Sequence, residues 1–455
     1  MGLFHLIKEA VMKMLNLKEI KKLGADLSSY MAEAIRTWDD LFYLINQPPH
    51  SLKLAQTITS YLATLATSEL TIDAGAGQRG KYITEQAAGN LLPNINEAVQ
   101  LAGAGGMAAI KPFVKGGSVY VEIIPRSRIF PKGFGPNKRI ESGFFTDFDR
   151  LKDGKPVVRI EEFALQEDGL LITNRAYRLK EADGIGSELS LSEVERWADL
   201  QPEAFISDVD RPHFGLIRMP MLNNIDGGPL PISIYANAVD SIIQLDKTYE
   251  QFLWERDTGK RRMVLDRGVA VKDPINGKPA IPFRELASDY YMIDMPVDKP
   301  WADYTPELRG EHYKTIFDTQ LRILEMQTGF SQGTFNIDIQ TGRVTATQVI
   351  SDDRTTYNTV KAVQDRGMTS GLIDALYWFD VYSTLYRLAP AGAFEPSVTY
   401  GDSIFEDTGV EYSRRKAMAD RPELLTSWYF GVSEEEAKAM LPEPETPENI
   451  LFGSD

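Results

Sequence analysis

Two segments with helical spacing, each long enough to form a rod, flank a short stretch that cannot be helical, and this constrains the fold more than anything else in the chain. The first, "PISIYANAVDSIIQLDKTYEQFLWERDTG", starts at Pro231, a residue suited to a first helical turn, and stops at Gly259, a natural C′ residue. Tyr235, Ala238, Ile242, Leu245, Tyr249 and Phe252 step by three and four, which predicts a seam against another helix. Asp240, Gln244, Lys247 and Gln251 fall elsewhere on the wheel. At 1.5 Å per residue, a helix over 232–259 is about 40 Å long. The second segment, "YTPELRGEHYKTIFDTQLRILEMQTG", predicts a helix over 306–329. Thr305 is its expected N-cap, Pro306 its N1 residue, and Glu307 lies where the helix dipole favours a carboxylate. Tyr313, Phe317, Leu321 and Leu324 line one face, so the two rods are expected to pack together.

Residues 260–305, between the rods, carry short β runs, an Asn-Gly turn and several prolines, and read as a compact β insertion. After the second rod comes a polar stretch bounded by Gly329, Gly333 and Gly342. Thr345 and Gln348 then form a capping box, predicting a third helix to about Leu388, on the order of 65 Å if unbroken. Gly367 and Gly371 lie inside it, where a kink is expected. Upstream of Pro231, an amphipathic N-terminal helix, a helix over 51–70 and another over 81–102 precede several short antiparallel strands punctuated by Gly and Pro. That makes residues 1–231 an α+β region. Beyond the third helix, "SVTYGDSIFED" reads as a strand, and two short helices follow. The second opens with a capping box from Ser433 to Glu436, before a Pro- and Glu-rich tail expected to be mobile.

Composition narrows the function. At 455 residues, with 43% hydrophobic and 10% aromatic content, the chain can bury a sizeable core. The absence of cysteine excludes disulfides, thiolate zinc sites and a Cys nucleophile, and fits folding in a reducing cytoplasm. No run of about 18 uncharged apolar residues predicts a membrane span. A net charge of −16 argues against tight grip on nucleic acid through phosphate neutralisation, while leaving passing contact open.

Motifs for chemistry are sparse. "AGAGQRG" and "LAGAGGMA" lack the Gly-Lys-Ser/Thr ending of a phosphate loop, and in the second the glycines follow a helix and precede a strand. Both read as turns. His5, His50, His213 and His312 have no metal-ligand spacing and are expected at the surface or as caps. Asp147, Asp149, Asp352 and Asp353 are the carboxylates a Mg²⁺-dependent nuclease would use, but adjacency in sequence gives no convergence on a metal. No catalytic residue, metal site or cofactor is expected. The densest basic run, Lys260, Arg261 and Arg262 with Arg267, fits either a solvated helix terminus or contact with DNA phosphates or a neighbouring protein ring.

The order of α+β region, helix, β insertion, returning helix, polar loop and long helix resembles the portal proteins of tailed double-stranded DNA bacteriophages. The segment "LPISIYANAVDSIIQLDKTYEQFLWERDTGKRRMVL" is similar to the first stem helix and clip entry of portals from siphophages of Gram-positive hosts. "TGFSQGTFNIDIQTGRVTATQVISDDRTTYNTVKAVQ" resembles their tunnel-loop junction and the start of their wing helix. "SVTYGDSIFED" and "YFGVSEEEAKAML" resemble their C-terminal ends. The resemblance implies an α+β portal fold: a wing over 1–231, stem helices over 232–259 and 306–329, and a clip over 260–305. It also implies a tunnel loop over 330–344, a long kinked wing helix over 345–389, and a C-terminal wing strand with a short crown over 390–455. It implies a homo-oligomer, a dodecameric ring at the unique capsid vertex of the virion, assembled in the host bacterial cytoplasm. The partners so implied are double-stranded DNA in the channel, the terminase large subunit, head-tail adaptor proteins, and the major capsid and scaffolding proteins. No membrane, cofactor or catalysis is implied. Thr334, Asn336, Gln340, Thr341 and Arg343 are the expected DNA-facing residues of the loop, and Lys247, Lys260, Arg261 and Arg262 those facing DNA or a partner near the stem and clip. An acidic subunit suits a conduit, because each phosphate paired with a fixed cation adds friction to a sliding polyanion. The alternative reading is another head-tail adaptor built on the same paired helices.

Overall fold

The N-terminal helices form because their apolar residues recur on one stripe and their ends are capped. In the computed structural model, α1 (Leu17–Lys22) is capped by Asn16, whose side chain accepts from the Glu19 amide. Ser28 does the same for α2 (Ser29–Tyr43) through the Met31 amide. α2 buries Met31, Ile35, Trp38 and Leu41, and α3 (Leu54–Thr67) buries Ile58, Leu62 and Ala66, each at helical spacing. The structure describes residues 15–45, 47–180, 184–260, 262–266, 271–272, 279–280, 289–296, 299, 301–303, 307–335, 354–401, 426–427, 433, 435 and 438. The expected N-terminal helix and the capping box from Ser433 to Glu436 thus fall largely or wholly outside the described residues.

Strand β1 (Leu70–Asp73) leads through the first glycine-rich turn into α4 (Gln78–Gln86), and a wide π-type turn over Ala87–Leu91 joins it to α5 (Leu92–Gly105). Gly106 ends α5 in the left-handed region, so the second glycine-rich run is a helix stop, as predicted. Next come β2 (Met107–Lys115), β3 (Ser118–Pro125), β4 (Ile129–Phe134), β5 (Ile140–Arg150), β6 (Pro156–Gln166), β7 (Gly169–Leu179), β8 (Ile185–Leu189), β9 (Glu203–Ser207) and β10 (Gly215–Arg218). They form two antiparallel sheets. One has the order β10-β2-β3; the other has the order β4-β5-β6-β7-β8, with β9 sharing the outer edge of β7. Alternation and turn residues predict strands as far as β7, although β5, β6 and β7 run to 11 residues each and are longer than expected; β10 falls in a stretch expected to be extended, and β8 and β9 are additional.

The first long helix, α6 (Val239–Thr258), starts later than Pro231. Residues 231–235 are instead buried, non-helical chain threaded through the α+β body. The Ile234 amide and Ser233 Oγ both donate to the Gly103 carbonyl at 2.9 Å, and the Tyr235 hydroxyl donates to the Trp38 carbonyl at 2.9 Å. The apolar spacing that suggests helix there serves burial against α5 and α2. Past α6, β11 (Arg262–Asp266), β12 (Val271–Lys272), β13 (Pro279–Ala280), β14 (Asp289–Ile293) and β15 (Trp301–Asp303) make the β insertion. In it β11 lies between β14 and β15, and β12 pairs with β13.

The returning helix α7 (Gly310–Thr328) begins after the expected N-cap, since Leu308 and Arg309 are not helical and Thr305 and Pro306 lie outside the described residues. Arg309 is turned onto Glu255 instead. The long helix is described from Arg354. It comprises α8 (Arg354–Ala362), a π-type turn over Val363–Met368, and α9 (Thr369–Leu385). The interruption falls where Gly367 predicts it, and packing explains both glycines. A Cβ on Gly367 would lie 2.3 Å from the Arg218 carbonyl oxygen, and one on Gly371 would lie 2.4 Å from that of Leu216. These glycines let α9 lie directly on the backbone of β10, where it buries Leu372, Ala375, Leu376, Trp378 and Phe379. Finally β16 (Ser397–Tyr400) pairs with β1, joining the segment after the long helix to the N-terminal α+β region in one sheet.

Candidate functional site: the helical pair and the root of the following segment

α6 and α7 run antiparallel, and four contacts fix their register. Ser241 Oγ donates to Gln327 Oε1 at 2.7 Å, next to the α+β body. The rings of Tyr249 and Phe317 meet edge-on at 6.4 Å, and those of Phe252 and Tyr313 at 5.5 Å. At the insertion end Arg309 forks onto Glu255, with Nη2 to Oε2 at 2.6 Å and Nε to Oε1 at 3.1 Å. The predicted seam is observed from Ile242 onward, with Ile242 and Leu245 buried on α6 and Tyr313, Leu321 and Leu324 on α7, whereas Tyr235 is buried in the α+β body instead.

The Arg309 hydrogen bonds hold the Glu255 carboxyl down to about 2. Because the folded value is depressed, the clamp stabilises fully above the ordinary value of 4.5 and weakens as pH falls toward 2. Thermal unfolding of Glu255→Gln should therefore lie below wild type at pH 7, with the gap closing between pH 4.5 and about 2. The outward faces of the pair interleave charge. The exposed charges are Asp240, Lys247, Arg256 and Asp257 on α6, and Glu311, Lys314 and Arg322 on α7. Lys247 and Lys260 are exposed and Arg262 is half-buried in β11, while Arg261 lies outside the described residues.

The opposite end of the pair is knotted. Gly329 caps α7 at φ +78°, a conformation for which glycine is suited, and a Cβ there would lie 2.8 Å from Thr359 Oγ1. The Thr359 hydroxyl donates to the Gly329 carbonyl at 2.6 Å. Ser331 and Thr356 exchange two bonds: the Ser331 amide donates to Thr356 Oγ1 at 2.9 Å, and the Thr356 amide to Ser331 Oγ at 3.1 Å. Phe330, Phe335 and Tyr61 of α3 pack edge to face at 5.3 to 6.0 Å. Inside this knot Glu325, 1% exposed, accepts from the Gly333 amide at 2.8 Å and the Phe335 amide at 2.7 Å.

Of the expected loop residues, Thr334 belongs to this root. It is half-buried, with its hydroxyl donating to the Ser331 carbonyl at 2.7 Å. Asn336, Gln340, Thr341 and Arg343 lie outside the described residues. Glu325 and Thr356 escaped the sequence reading. The available signal was a glutamate in the last turn of a helix, where the dipole disfavours a carboxylate.

The remaining candidates are structural. Asp147 accepts from Arg128 at 2.9 Å, from Arg196 at 2.6 Å and from the Trp197 indole at 3.0 Å, so it is surrounded by cations rather than open to one. That argues against the metal-binding role a Mg²⁺-dependent nuclease would give it; Asp352 and Asp353 lie outside the described residues. His213 is buried, contrary to expectation, because Glu161 and a box formed by Phe145, Phe163, Phe214 and Trp378 enclose it. His50 and His312 are exposed, as expected. A cavity of about 1250 Å³ beside this network has Phe113, Phe205, Leu385 and Tyr386 among its lining. Among the described residues, no group of three or more His, Asp or Glu could hold a metal, and no helix is long and apolar enough to cross a membrane.

No family model matches this chain, and no curated protein matches it. Among solved structures it is similar to a chain of "Neck of empty GTA particle computed with C6 symmetry", at 9% identity and a TM-score of 0.47 over 91% of this chain and 98% of that one. It is also similar to a chain of "Virion of native gene transfer agent (GTA) particle", at 10% identity and a TM-score of 0.44 over 91% and 98%. A third, "Neck of native GTA particle computed with C12 symmetry", gives 10% identity and a TM-score of 0.40 over 91% and 94%.

Proposed function

We propose that this chain is the subunit of a portal-type ring at the unique vertex of a phage-like capsid, a non-enzymatic conduit for double-stranded DNA during packaging and ejection. The observation that carries the reading is the antiparallel pair of α6 and α7, capped by a β insertion at one end and tied at the other to the root of a polar segment. Repeated around an axis, that unit gives a walled passage, a docking surface at the insertion and a polar segment at the inner constriction. The interleaved signs on the faces of the pair suit this role, since a continuous band of Lys and Arg would hold a polyanion instead of passing it.

In this reading the insertion, with Lys260, Arg261 and Arg262, docks the terminase large subunit and later the head-tail adaptor proteins. The α+β body faces neighbouring subunits and the capsid and scaffolding proteins. Lys247 lies on the stem, and Asn336, Gln340, Thr341 and Arg343 touch the duplex in passing, without reading its sequence. The ring is a dodecamer in the particle, of the siphophage type of Gram-positive hosts.

Electron microscopy of the purified protein should show hollow rings; a solution mass near one 51.0 kDa subunit at high concentration would overturn the proposal. Removing residues 337–342, which lie beyond the root, should leave rings intact and bring DNA filling of particles toward background. Normal filling by that deletion would remove the segment's assigned role.

A further inference from the structure

Glu325 is in an unfavourable place for a carboxylate: the last turn of α7, where the helix dipole is negative, and 1% exposed. Burying a charge is costly unless hydrogen bonds compensate it. Nothing in helix stability accounts for the residue, yet each of its oxygens accepts one backbone N–H, from Gly333 and from Phe335. Both donors lie past the end of the helix, in the turn that immediately precedes the polar segment. The chain's return is fastened to the same turn, through the Ser331 and Thr356 pair and through Thr359 on Gly329. The aromatic trio ties it to α3 as well.

We infer that Glu325 is a positioning residue for DNA passage: its buried carboxylate, with the Ser331 and Thr356 pair, sets the direction in which the polar segment leaves the helical pair. It touches no DNA itself. The carboxylate is the acceptor suited to this task, because two oxygens can take two amides at once. A glutamine would offer one carbonyl oxygen and turn an NH₂ group toward the second amide. This inference rests on the portal reading for its functional half, and on the hydrogen bonds alone for its structural half.

Amide hydrogen exchange on the intact protein tests the structural half. In Glu325→Ala the Gly333 and Phe335 amides should exchange at least about tenfold faster, with the core strands β5 to β7 unchanged. Glu325→Gln, the milder variant should Glu325→Ala fail to fold, should release one of the two amides. Thr356→Val should release the Ser331 amide, and Thr356→Ser should restore it. For the functional half, Glu325→Ala and Thr356→Val rings should form but fill particles poorly, and Thr356→Ser should fill them normally. Unchanged exchange at Gly333 and Phe335 would overturn the anchor. Freed amides with normal filling would overturn the positioning role, provided that removing 337–342 still blocks filling. If that deletion fills normally, the portal assignment of the segment falls instead, and the exchange data still decide the anchor.

Discussion

Replacing Gly215 with alanine is expected to destabilise the subunit by about 3 kcal/mol, at the upper end of overpacking costs because the clash is with backbone. A Cβ at this position would sit 1.8 Å from the Gly371 carbonyl oxygen and 3.0 Å from the Ala375 amide nitrogen, both in α9. A flexible side chain could swing aside, but a helix carbonyl can yield only if the whole helix shifts. Gly371→Ala meets the Leu216 carbonyl from the other side at 2.4 Å and should cost somewhat less, about 2 kcal/mol, since alanine recovers helix propensity there. Gly89→Ala is the control. It lies in a helical turn with nothing within 4 Å of the added methyl, and should be neutral or stabilising by up to about 1 kcal/mol. Chemical denaturation of the three variants checks the order. A Gly215→Ala protein as stable as wild type would mean that α9 does not lie on β10 as described.

The second large effect is expected at Glu161, where Glu161→Gln should cost about 3–5 kcal/mol by leaving buried Lys111 and Arg159 only their longer ion pairs, to Glu122 at 3.4 Å and Asp147 at 3.6 Å. Its carboxylate takes Lys111 Nζ at 2.8 Å, Arg159 Nη1 at 3.0 Å and His213 Nε2 at 2.7 Å, all on largely buried side chains. Burial pushes the Glu161 carboxyl up, but Lys111, the His213 hydrogen bond and Arg159 together hold it well below the ordinary 4.5. Burial also lowers the His213 value from 6.5, so the imidazole is neutral at pH 7, and Nε2 donates its hydrogen to the carboxylate. With a depressed folded value, the Glu161 contribution is complete above pH 4.5 and is lost as pH falls below it. The stability gap between wild type and Glu161→Gln should therefore narrow in acid. The double variant Glu161→Gln with Lys111→Met should lose less than the sum of the two single changes, because both remove the same buried ion pair. Strict additivity would mean that the two residues are not coupled.

Local features were legible in the sequence and long-range ones were not. The seam of the helical pair could be read because three- and four-residue steps are a property of one helix, and Tyr249 and Phe252 meet Phe317 and Tyr313 as that spacing requires. Gly367 marked the interruption of the long helix for the same reason. The start of α6 is not legible because Ile232, Ile234 and Tyr235 are apolar on account of burial beneath α5, and burial leaves the same signature as an amphipathic turn. The true start of α7 depends on Arg309 reaching Glu255, 54 positions away in sequence. Nothing near Thr305 signals that bond. Glu161 and His213 are 52 positions apart, in a strand and a loop whose proximity only the tertiary fold reveals, so the burial of His213 has no local signal. At the segment's root, Phe335 reads locally as a stray aromatic in a polar loop, and its role appears only when Tyr61 and Phe330 lie beside it.

The pairing of β1 with β16 carries a consequence for how the molecule is made. Leu70 faces Tyr400, Gln364 donates to the Ala66 carbonyl, and Arg79 is held by Asp380, so the α+β body is one core written in two distant pieces of the gene. On a translating ribosome the first piece emerges with the β10 surface that α9 will cover still bare, and it waits while the helical pair and its insertion are synthesised. That nascent surface includes Ile217, which shares the Gly215 side of the strand, and it is prone to aggregation until α9 arrives. A chain truncated just before Thr369 should accordingly accumulate as chaperone-bound or aggregated material, even though it contains every residue of the proposed channel wall.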